Sequence, residues 1–473
     1  MLRWVLASTG CLLLGAATFT SAVVVAGDQP RPNPPRDCVS PDQYNPDIDY
    51  YPDKWEDYGH DLFTVEYHKS YKVVKNPFSN ETFVLYKCGT PLPDKYRRGN
   101  YKVFETPVQR IGVVQNSTQS FLYKLGYANM VPIAGSSAAP ANITTKAEGT
   151  FDKPYDRFRG KVYALTPEQY DSVDIVFTGH SQEEEKYVTA SEASAPSALK
   201  RSEWLGFYSL FVDREKEAMR RVKLMGENYR CMKDRVQEAL AERQAQPLQI
   251  AWARREDPQP ANDQKVTWVL SMAKFKWSLT SDAGATMVNE GIESSFTNPS
   301  AMRFALIHAD VLIDESYGTH TIDDVLYNFG IEDTPDDAKK YKFIRNRMIL
   351  REDGLRTACD GNGWYHTAVS SADVLLQDFI RAVYMPDSRT LPRLWFRNLG
   401  REEVLSIMKS GKGDNGTELE KLRPYGCDNM DWDGIKILTE VGQTSASAIN
   451  LGTSPWPHGL ATLIPLVAIY FFQ

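Results

Sequence analysis

The longest regular pattern of apolar and polar positions runs from residue 214 to residue 242. Apolar side chains recur there at steps of three and four residues, at Ala218, Val222, Met225, Tyr229, Met232, Val236 and Leu240. This spacing places them on one face of a helix, with charged residues opposite. At 1.5 Å per residue the helix would be roughly 40 Å long. An isolated coiled coil would show the same stripe, but this one is shorter than four heptads and is flanked by other patterns.

Short apolar runs precede this helix. Residues 63–74 and 82–87 have the composition and partial alternation of strands, with a turn rich in Pro, Asn and Ser between them, which predicts a hairpin. Strands are also predicted at 110–114, 130–133 and 172–177. Asn116 can cap a helix that ends at Gly126.

The alternation resumes after the long helix. Strands are predicted at 250–253, 268–270 and 311–314, and helices at 298–309, 321–329 and 372–384. Strands that alternate with helices favour α/β packing around parallel sheets. We therefore expect an extended leader (27–60), an N-terminal α/β lobe (61–212), a linker helix (213–243), a C-terminal α/β lobe (244–400) and an extension (401–445).

The two ends of the chain have the composition of targeting segments. Residues 1–26, with Arg3 before an apolar run and small residues near 24–26, predict a secretory signal peptide, and a signal anchor is the alternative. Small residues at 445–447, a polar stretch and the apolar run 459–472 predict a glycosylphosphatidylinositol (GPI) anchor at Ser445, with 446–473 removed. The alternative, a single-pass transmembrane helix, would need about 20 apolar residues, which is more than the run 459–472 contains. The expected location is the extracellular face of a eukaryotic plasma membrane.

Composition limits the partners of the folded part. The chain is 42% apolar and 24% charged, as in ordinary globular proteins. Its net charge of −7 argues against nucleic acid or an anionic membrane face as partner, and mildly favours a cationic or neutral ligand. Three aspartates in the leader, Asp47, Asp49 and Asp53, lack the spacing of a calcium loop, so a solvated linker is the simpler interpretation.

Cysteines and sequons agree with secretion. Cys11 would leave with the signal peptide, and an odd number of cysteines remains. We expect disulfides Cys38–Cys88 and Cys359–Cys427 with Cys231 unpaired, although spacing alone does not fix connectivity. Four sequons predict a glycoprotein, at Asn80, Asn116, Asn142 and Asn415.

Several stretches follow one another in a distinctive order. They are the hairpin 63–74 followed by 86–93, the strand 107–114 before the Asn116 helix, 201–205 before the long helix, 309–317, and 360–365 before 372–378. This order resembles the helical-linker class of periplasmic substrate-binding proteins, which capture siderophore-bound iron and cobalamin. The resemblance covers roughly residues 60 to 400. It implies two Rossmann-like lobes that clamp a small ligand, with little hinge closure because a rigid helix joins them.

The resemblance also implies where the ligand lies. Open parallel sheets bind ligands at the carboxyl ends of their strands, and clefts between domains are common pockets. On that rule the candidate ligand-binding residues are Ser117, Thr118, Ser136, Ser137, His180 and Glu192 in the first lobe, and Lys276, Trp277, Tyr317, His320, Trp364, Tyr365 and His366 in the second. Aromatic rings offer a bulky ligand a large rigid surface, and Trp364 with Tyr365 is the strongest prediction. A glycan on Asn116 would block a narrow cleft, so that asparagine is unmodified or the cleft is wide.

Other functions remain open at this point. Metal-binding relatives of that class use several histidines and a carboxylate, and His68, His180, His320 and His366 could converge here, but a metal carried inside an organic chelate is favoured. The chain lacks the Gly-x-Ser-x-Gly, His-Glu-x-x-His and P-loop motifs, which argues against a surface enzyme of those types. An adhesion or cell-wall protein without a small ligand is the third alternative. A lipid-anchored eukaryotic protein has no bacterial importer beside it, so the activity that the resemblance implies is capture and not transport. No cofactor is expected, and the uptake partner is unknown.

Overall fold

The computed structural model describes residues 38–56, 62–115, 117–127, 130–132, 165, 167–258, 265–290, 294–356, 362–387, 393–407 and 426–435. The predicted signal peptide, the predicted anchor site Ser445 and residues 446–473 lie outside these ranges, as do Ser136 and Ser137. All elements below belong to the unit Met1–Ile437. Among the described helices, none has the length and apolarity needed to cross a bilayer.

The first sheet contains the predicted hairpin. Its strands are β1 (Thr64–Tyr67), β2 (Tyr71–Asn76), β3 (Glu81–Lys87) and β4 (Lys102–Thr106), in the order β1-β2-β3-β4. The first three are antiparallel, and β3 pairs with β4 in parallel. The predicted strand 63–74 is two strands, because the chain reverses where the N–H of His68 donates to the carbonyl of Tyr71 at 2.8 Å. Asn80 is exposed in the β2–β3 turn, as a glycosylated sequon requires, and Asn116, Asn142 and Asn415 lie outside the described residues.

The first lobe is built on a second sheet in which every strand is parallel. It contains β5 (Ile111–Val113), β6 (Met130–Pro132), β7 (Ile175–Thr178) and β8 (Tyr187–Thr189), in the order β6-β5-β7-β8. Its helices are α1 (Thr118–Lys124) and α2 (Pro167–Ser172). The strand predicted at 172–177 starts later because residue 172 still belongs to α2.

The long helix has the predicted buried face. After α3 (Ala198–Glu203) and α4 (Leu205–Phe211), helix α5 (Glu215–Glu242) runs for 28 residues. Every apolar position of the predicted stripe is buried. The helix contacts α4 on one side and Ala372–Tyr384 of the second lobe on the other, so it connects the two lobes and is not an isolated coiled coil.

The second lobe is built on a mixed sheet. Its strands are β9 (Gln249–Glu256), β10 (Thr267–Leu270), β11 (Thr286–Met287), β12 (Ser294–Phe296), β13 (Val311–Asp314), β14 (Ile349–Arg351) and β16 (Arg397–Asn398). Strand β15 (Leu355–Arg356) precedes β16 in the chain but is not part of this sheet. The order is β12-β10-β9-β13-β14-β16, with β11 also on β9, and β15 pairs with β17 (Ser406–Ile407). The central strands β9, β13 and β14 are parallel, and β10, β12 and β16 are antiparallel. The predicted α/β fold with parallel sheets is confirmed, with antiparallel strands added at the edges.

Seven helices belong to the second lobe. They are α6 (Lys274–Asp282), α7 (Pro299–Leu306), α8 (Ile322–Phe329), α9 (Pro335–Lys340), α10 (Lys342–Arg345), α11 (Gly363–Thr367) and α12 (Ala372–Tyr384) within the described ranges. Thr321 caps α8 with Asp324 in a reciprocal capping box, and Gly330 ends it in the left-handed conformation. The core between sheet and helices includes Leu312, Phe329 and Phe343, all without solvent exposure.

One of the two predicted disulfides is confirmed. Cys38 is bonded to Cys88, but Cys231, which we expected to be unpaired, is bonded to Cys427. The predicted bond Cys359–Cys427 is therefore wrong, and Cys359 itself lies outside the described residues. The reason is that residues 426–435 lie along α5, where the side chain of Asn228 accepts the N–H of Cys427 at 3.1 Å.

The described part of the leader packs on the first sheet. The N–H of Val39 donates to the carbonyl of Cys88 at 2.9 Å. Tyr51 is buried, and its hydroxyl lies 3.2 Å from the hydroxyl of Thr106. Asp49 accepts from Lys54 at 2.6 Å, so this aspartate is held in an ion pair.

Candidate functional site

The carboxyl edge of the first lobe carries a buried carboxylate. Glu192, in the turn after β8, accepts the hydroxyl of Ser117 at 2.5 Å and the amide of Gln115. The hydroxyl of Thr118 lies 3.0 Å from that of Tyr208. Burial, together with the charge of Glu192, raises the pKa of Tyr208 well above its usual value. The structure therefore brings the predicted residues Ser117, Thr118 and Glu192 into one buried polar network.

A second set of charges lies at the carboxyl edge of the second lobe. Glu315 follows β13, Glu352 follows β14, and Lys276 is in the first turn of α6; we call these three residues the charged cluster. The side chains of Lys276 and Glu315 are 9% and 8% exposed, and Glu352 is 5% exposed. The ammonium of Lys276 forms an ion pair with Glu315 and lies 5.0 Å from the ring centroid of Trp252.

One carboxyl group of the charged cluster, that of Glu352, holds its proton more tightly than an exposed glutamate. Burial, and next the charge of Glu315, raise the pKa of Glu352 to about 8, against the opposing influence of Lys276 and Arg351. Hydrogen bonding with the side chain of Glu315 raises the pKa of Glu352 in the same direction. At neutral pH the carboxyl group of Glu352 is therefore mostly protonated.

The proton on Glu352 makes folding stability depend on pH. The folded chain holds it up to a pH near 8, whereas an unfolded glutamate releases it near 4.5. Its contribution to stability is complete below pH 4.5 and is lost as the pH rises to 8. We expect urea titrations to show a fall on the order of 2 kcal/mol across this window, and Glu352→Gln, which keeps the neutral form at every pH, to remove most of it.

The exposed Glu227 on α5 provides the control. Glu227→Gln should follow the pH profile of the native chain, because this side chain is in solvent. A Glu352→Gln profile that fell as steeply as the native one would show that Glu352 does not hold the proton.

Aromatic rings pack around Trp252, the ring over which the ammonium of Lys276 lies. Trp252 stacks on Phe379 at 5.8 Å and meets Phe396 edge-on at 5.9 Å between ring centroids. Trp364 lies 5.4 Å from Phe396 and 6.3 Å from Trp395. The predicted residues Lys276 and Trp364 therefore belong to one assembly, but Trp364 is buried in it and does not present its ring to solvent.

The neighbours of Trp364 differ in exposure. Tyr365 is half-buried on the same short helix α11. The Nε2 atom of His366 is buried, and burial lowers the pKa of this histidine to about 4. Its imidazole is consequently neutral at physiological pH and carries no charge into the site.

Other predicted residues are at the surface. Trp277 on α6 and Tyr317 after β13 are about half exposed, and His180 after β7 and His320 after Tyr317 are exposed. The loop that carries Tyr317 and His320 is fixed by buried ion pairs and by hydrogen bonds to two of its carbonyl groups. The ion pairs join Asp314 to Arg351, and Asp353 to both Arg351 and Arg397. Arg351 donates to the carbonyl of Ser316, and Arg397 donates to the carbonyl of His320. Tyr317 and His320 thus lie at the carboxyl edge of the sheet on a loop that these contacts hold in place.

The two lobes meet through a small set of side chains. Lys124, at the end of α1, donates to the carbonyl of Ser370 at 2.6 Å and to the hydroxyl of Ser371 at 2.9 Å. The guanidinium of Arg201 on α3 donates to the carbonyl of Ala193 at 2.9 Å and lies 3.5 Å from the ring centroid of Phe275. Helix α1 also contacts α11, which joins the element of Ser117 and Thr118 to that of Trp364, Tyr365 and His366.

Sequence reasoning missed Arg201, Glu315 and Glu352. The rule that selects residues after strand ends would have selected Glu315, which follows the predicted strand 311–314. It would not have selected Glu352, because β14 is only three residues long and was not predicted. Arg201 lies on a helix that does not directly follow a predicted strand, so the rule does not select it.

The histidines do not form a metal cluster in the part of the chain that the structure describes. No group of three or more His, Cys, Asp or Glu is placed there to hold an ion. His68 stacks on Tyr71 in the first sheet, with its Nε2 atom 3.1 Å from a carboxylate oxygen of Glu66.

Comparison with known proteins gave structural likenesses only. No family model and no curated protein matches the sequence. A possible iron-binding (periplasmic solute-binding) protein from Staphylococcus epidermidis is 15% identical, with 59% of this chain and 100% of that chain covered and a TM-score of 0.39. A periplasmic heme-binding protein from Pseudomonas aeruginosa is 11% identical, with 63% and 99% covered and a TM-score of 0.41.

A third solved structure is of the same kind. It is an ABC-type Fe3+-hydroxamate transport system from Saccharomonospora viridis, which is 14% identical, with 59% of this chain and 94% of that chain covered and a TM-score of 0.38. Every one of these TM-scores is below 0.5, so the likenesses do not decide what this chain binds.

Proposed function

We propose that this protein is a cell-surface binding protein that captures a small ligand between its two lobes. The contact between α1 and α11 carries the proposal, because it brings the carboxyl edge of the first-lobe sheet against a helix of the second lobe. Ligands of open α/β sheets bind at such edges. The ligand class that we favour is a metal chelate, such as an iron–siderophore or cobalamin, and the protein performs no chemistry on it.

The polar and aromatic residues support this class of ligand. Tyr317 and Trp277 are half exposed and can cover a bulky, partly apolar chelate. His180 and His320, which are exposed, supply polar groups that would orient it, whereas the hydroxyls of Ser117 and Thr118 are buried. Direct coordination by side chains is less favoured, since a chelate brings its own metal ligands.

The domain division and the location are part of the same proposal. Lobes 61–212 and 244–400 would be joined by the linker 213–243, and a lipid anchor at Ser445 would hold the folded part on the outer face of the plasma membrane. The anchor would keep a captured ligand at the cell surface, in the way that an outer membrane confines a periplasmic protein.

A thermal-shift screen tests capture. The full chain, produced through a eukaryotic secretory pathway, is mixed with ferric hydroxamates, ferric catecholates, heme, cobalamin and free metal ions. One class should stabilise it, by about 2.7 kcal/mol at a ligand concentration of 100 times Kd. A folded protein that none of these ligands stabilises would contradict capture.

A pair of tyrosines then tests the site. Tyr317→Ala should reduce the stabilisation, because it removes a ring that is 52% exposed at the carboxyl edge. Tyr327→Ala is the matched control, since this ring is 77% exposed on α8 and is not among the residues assigned to the site. Equal ligand affinity of the two variants would remove Tyr317 from the site.

A further inference from the structure

A large aromatic ring is exposed in the turn between β2 and β3. Phe78 lies in this turn, residues 77–80, and is 45% exposed. The ring packs against Trp204, which has no solvent exposure, with 6.2 Å between the ring centroids. A single exposed apolar side chain is common at a protein surface. What distinguishes Phe78 is the residue that stands two positions later in the same turn.

That residue is the asparagine of a sequon. Asn80, Glu81 and Thr82 form the triplet that a secreted chain presents for glycosylation, and Asn80 is exposed. Its φ of 56° lies in the left-handed region, which asparagine tolerates better than most residues. The turn therefore places an acceptor amide and an open aromatic ring next to each other at the surface.

Hydrogen bonds hold this turn in one shape. The buried side chain of Asn76 accepts the N–H of Phe78 at 3.0 Å, and its amide donates to the carbonyl of Thr189 at 2.9 Å. The hydroxyl of Ser79 donates to a carboxylate oxygen of Glu81 at 2.7 Å. Because the turn is already fixed, a sugar that settles on the ring would order little additional backbone.

We propose that a glycan on Asn80 packs its first N-acetylglucosamine on the open side of the Phe78 ring, so that this sugar becomes a structural part of the first sheet. The C–H groups on one side of a pyranose pack on an aromatic face as other apolar groups do. The inference rests only on the secretory location in the proposed function. A failure of ligand capture would leave it unchanged.

The modification uses a donor from the secretory pathway. The side-chain nitrogen of Asn80 attacks C1 of an oligosaccharide that is carried on a polyprenyl diphosphate. The bond from C1 to the diphosphate oxygen breaks, a bond from C1 to nitrogen forms, and the proton of the nitrogen goes to the released diphosphate. The sugar bonded to the protein is then held beside the ring by a side chain of the same turn.

A double-mutant cycle measures the contact in the full chain, produced through a eukaryotic secretory pathway. Thr82→Val removes the sequon but keeps Asn80 and a β-branched side chain in the strand. It should lower the folding equilibrium constant about fivefold, as the loss of an aromatic packing contact predicts. In the Phe78→Ala background the same change should alter this constant by less than about twofold. Equal effects in the two backgrounds would overturn the inference, since any effect of the valine itself is common to both.

Mass spectrometry of the peptide that contains residues 77–82 reports whether Asn80 is modified. The native chain should carry a glycan there, and an unmodified Asn80 would overturn the inference. Glycoforms of each variant are separated by chromatography before unfolding, so that the cycle compares molecules of known occupancy.

Enzymatic trimming tests the same contact without a substitution at Phe78. An endoglycosidase that leaves one N-acetylglucosamine on each asparagine is applied to the native chain and to Thr82→Val. The difference in Tm between the two chains should be the same before and after trimming, because the sugar on the ring remains. A difference that disappears on trimming would overturn the inference, since the stabilisation would then come from the outer sugars.

Discussion

Replacing Lys72 by methionine should lower the free energy of unfolding by about 3–5 kcal/mol. The side chain of Lys72 has no solvent exposure. Its ammonium lies 2.9 Å from a carboxylate oxygen of Asp213, 2.5 Å from one of Glu215, and 4.5 Å from the ring centroid of Tyr51. Methionine fills a similar volume but leaves two buried carboxylates without their shared cation.

The loss should depend on pH. Burial raises the pKa of Glu215, while Lys72 and Lys87 outweigh burial and lower that of Asp213. Without Lys72, both carboxyl groups should take up protons more readily in the folded chain than in the unfolded chain. The stability of the variant, measured by urea denaturation, should therefore be closest to that of the native chain near pH 5 and furthest from it near pH 8.

Lys69→Met in the neighbouring turn is the matched control. Lys69 pairs with Asp47 at 3.0 Å, but their side chains are 55% and 86% exposed. An exposed pair of this kind contributes about 0–1 kcal/mol. Comparable losses in the two variants would show that the Lys72 pairs are not buried as described. A loss of stability in Lys72→Met alone would show that Lys72 anchors the first sheet to the beginning of α5.

Replacing both Cys231 and Cys427 by serine should cost on the order of 3–5 kcal/mol. The bond closes a loop with a sequence separation of 196, and the entropy that a cross-link removes from the unfolded chain grows with loop length. The serine variant should also free residues 426–435, whose Met430 and Ile435 are buried. A lower Tm and faster hydrogen exchange in 426–435 are the measurements.

Peptide mapping under non-reducing conditions decides the connectivity itself. A peptide joined through Cys231 and Cys427 is expected, and one joined through Cys359 and Cys427 would contradict the fold in this region. The Cys38/Cys88 serine variant is the control for stability. Its bond has a sequence separation of 50, so its loss should be smaller by about 1 kcal/mol, and it should leave the exchange of 426–435 unchanged.

The fold was largely predictable where the pattern is local. The stripe from Ala218 to Leu240 repeats over several turns, and each turn adds independent support for the same buried face. The limits of α8 and α12 were also predicted to within one residue, since α8 has a capping residue and a terminal glycine and α12 is strongly amphipathic. Strands such as β8, β14 and β16 were missed because two or three residues are too few to show a period.

The site was predictable only in part. The strand-end rule selected Glu192 and Lys276, which do lie in buried polar groups at the two carboxyl edges. It could not show that Lys276 pairs with Glu315, or that Trp364 would be buried against Phe396. Those contacts depend on which strands are neighbours, and the hydrophobic pattern does not specify strand order.

The amino-acid sequence by itself determined the α/β alternation and the buried face of the linker helix, and it favoured the Cys38–Cys88 bond. These follow from local periodicity or from cysteines in one region of the chain. Only the tertiary structure decided that Cys231 bonds Cys427 and that Glu352 is buried beside Glu315, which raises its pKa. Both depend on packing that joins distant segments, because a disulfide needs two sulfur atoms in contact and a raised pKa needs burial beside another carboxylate.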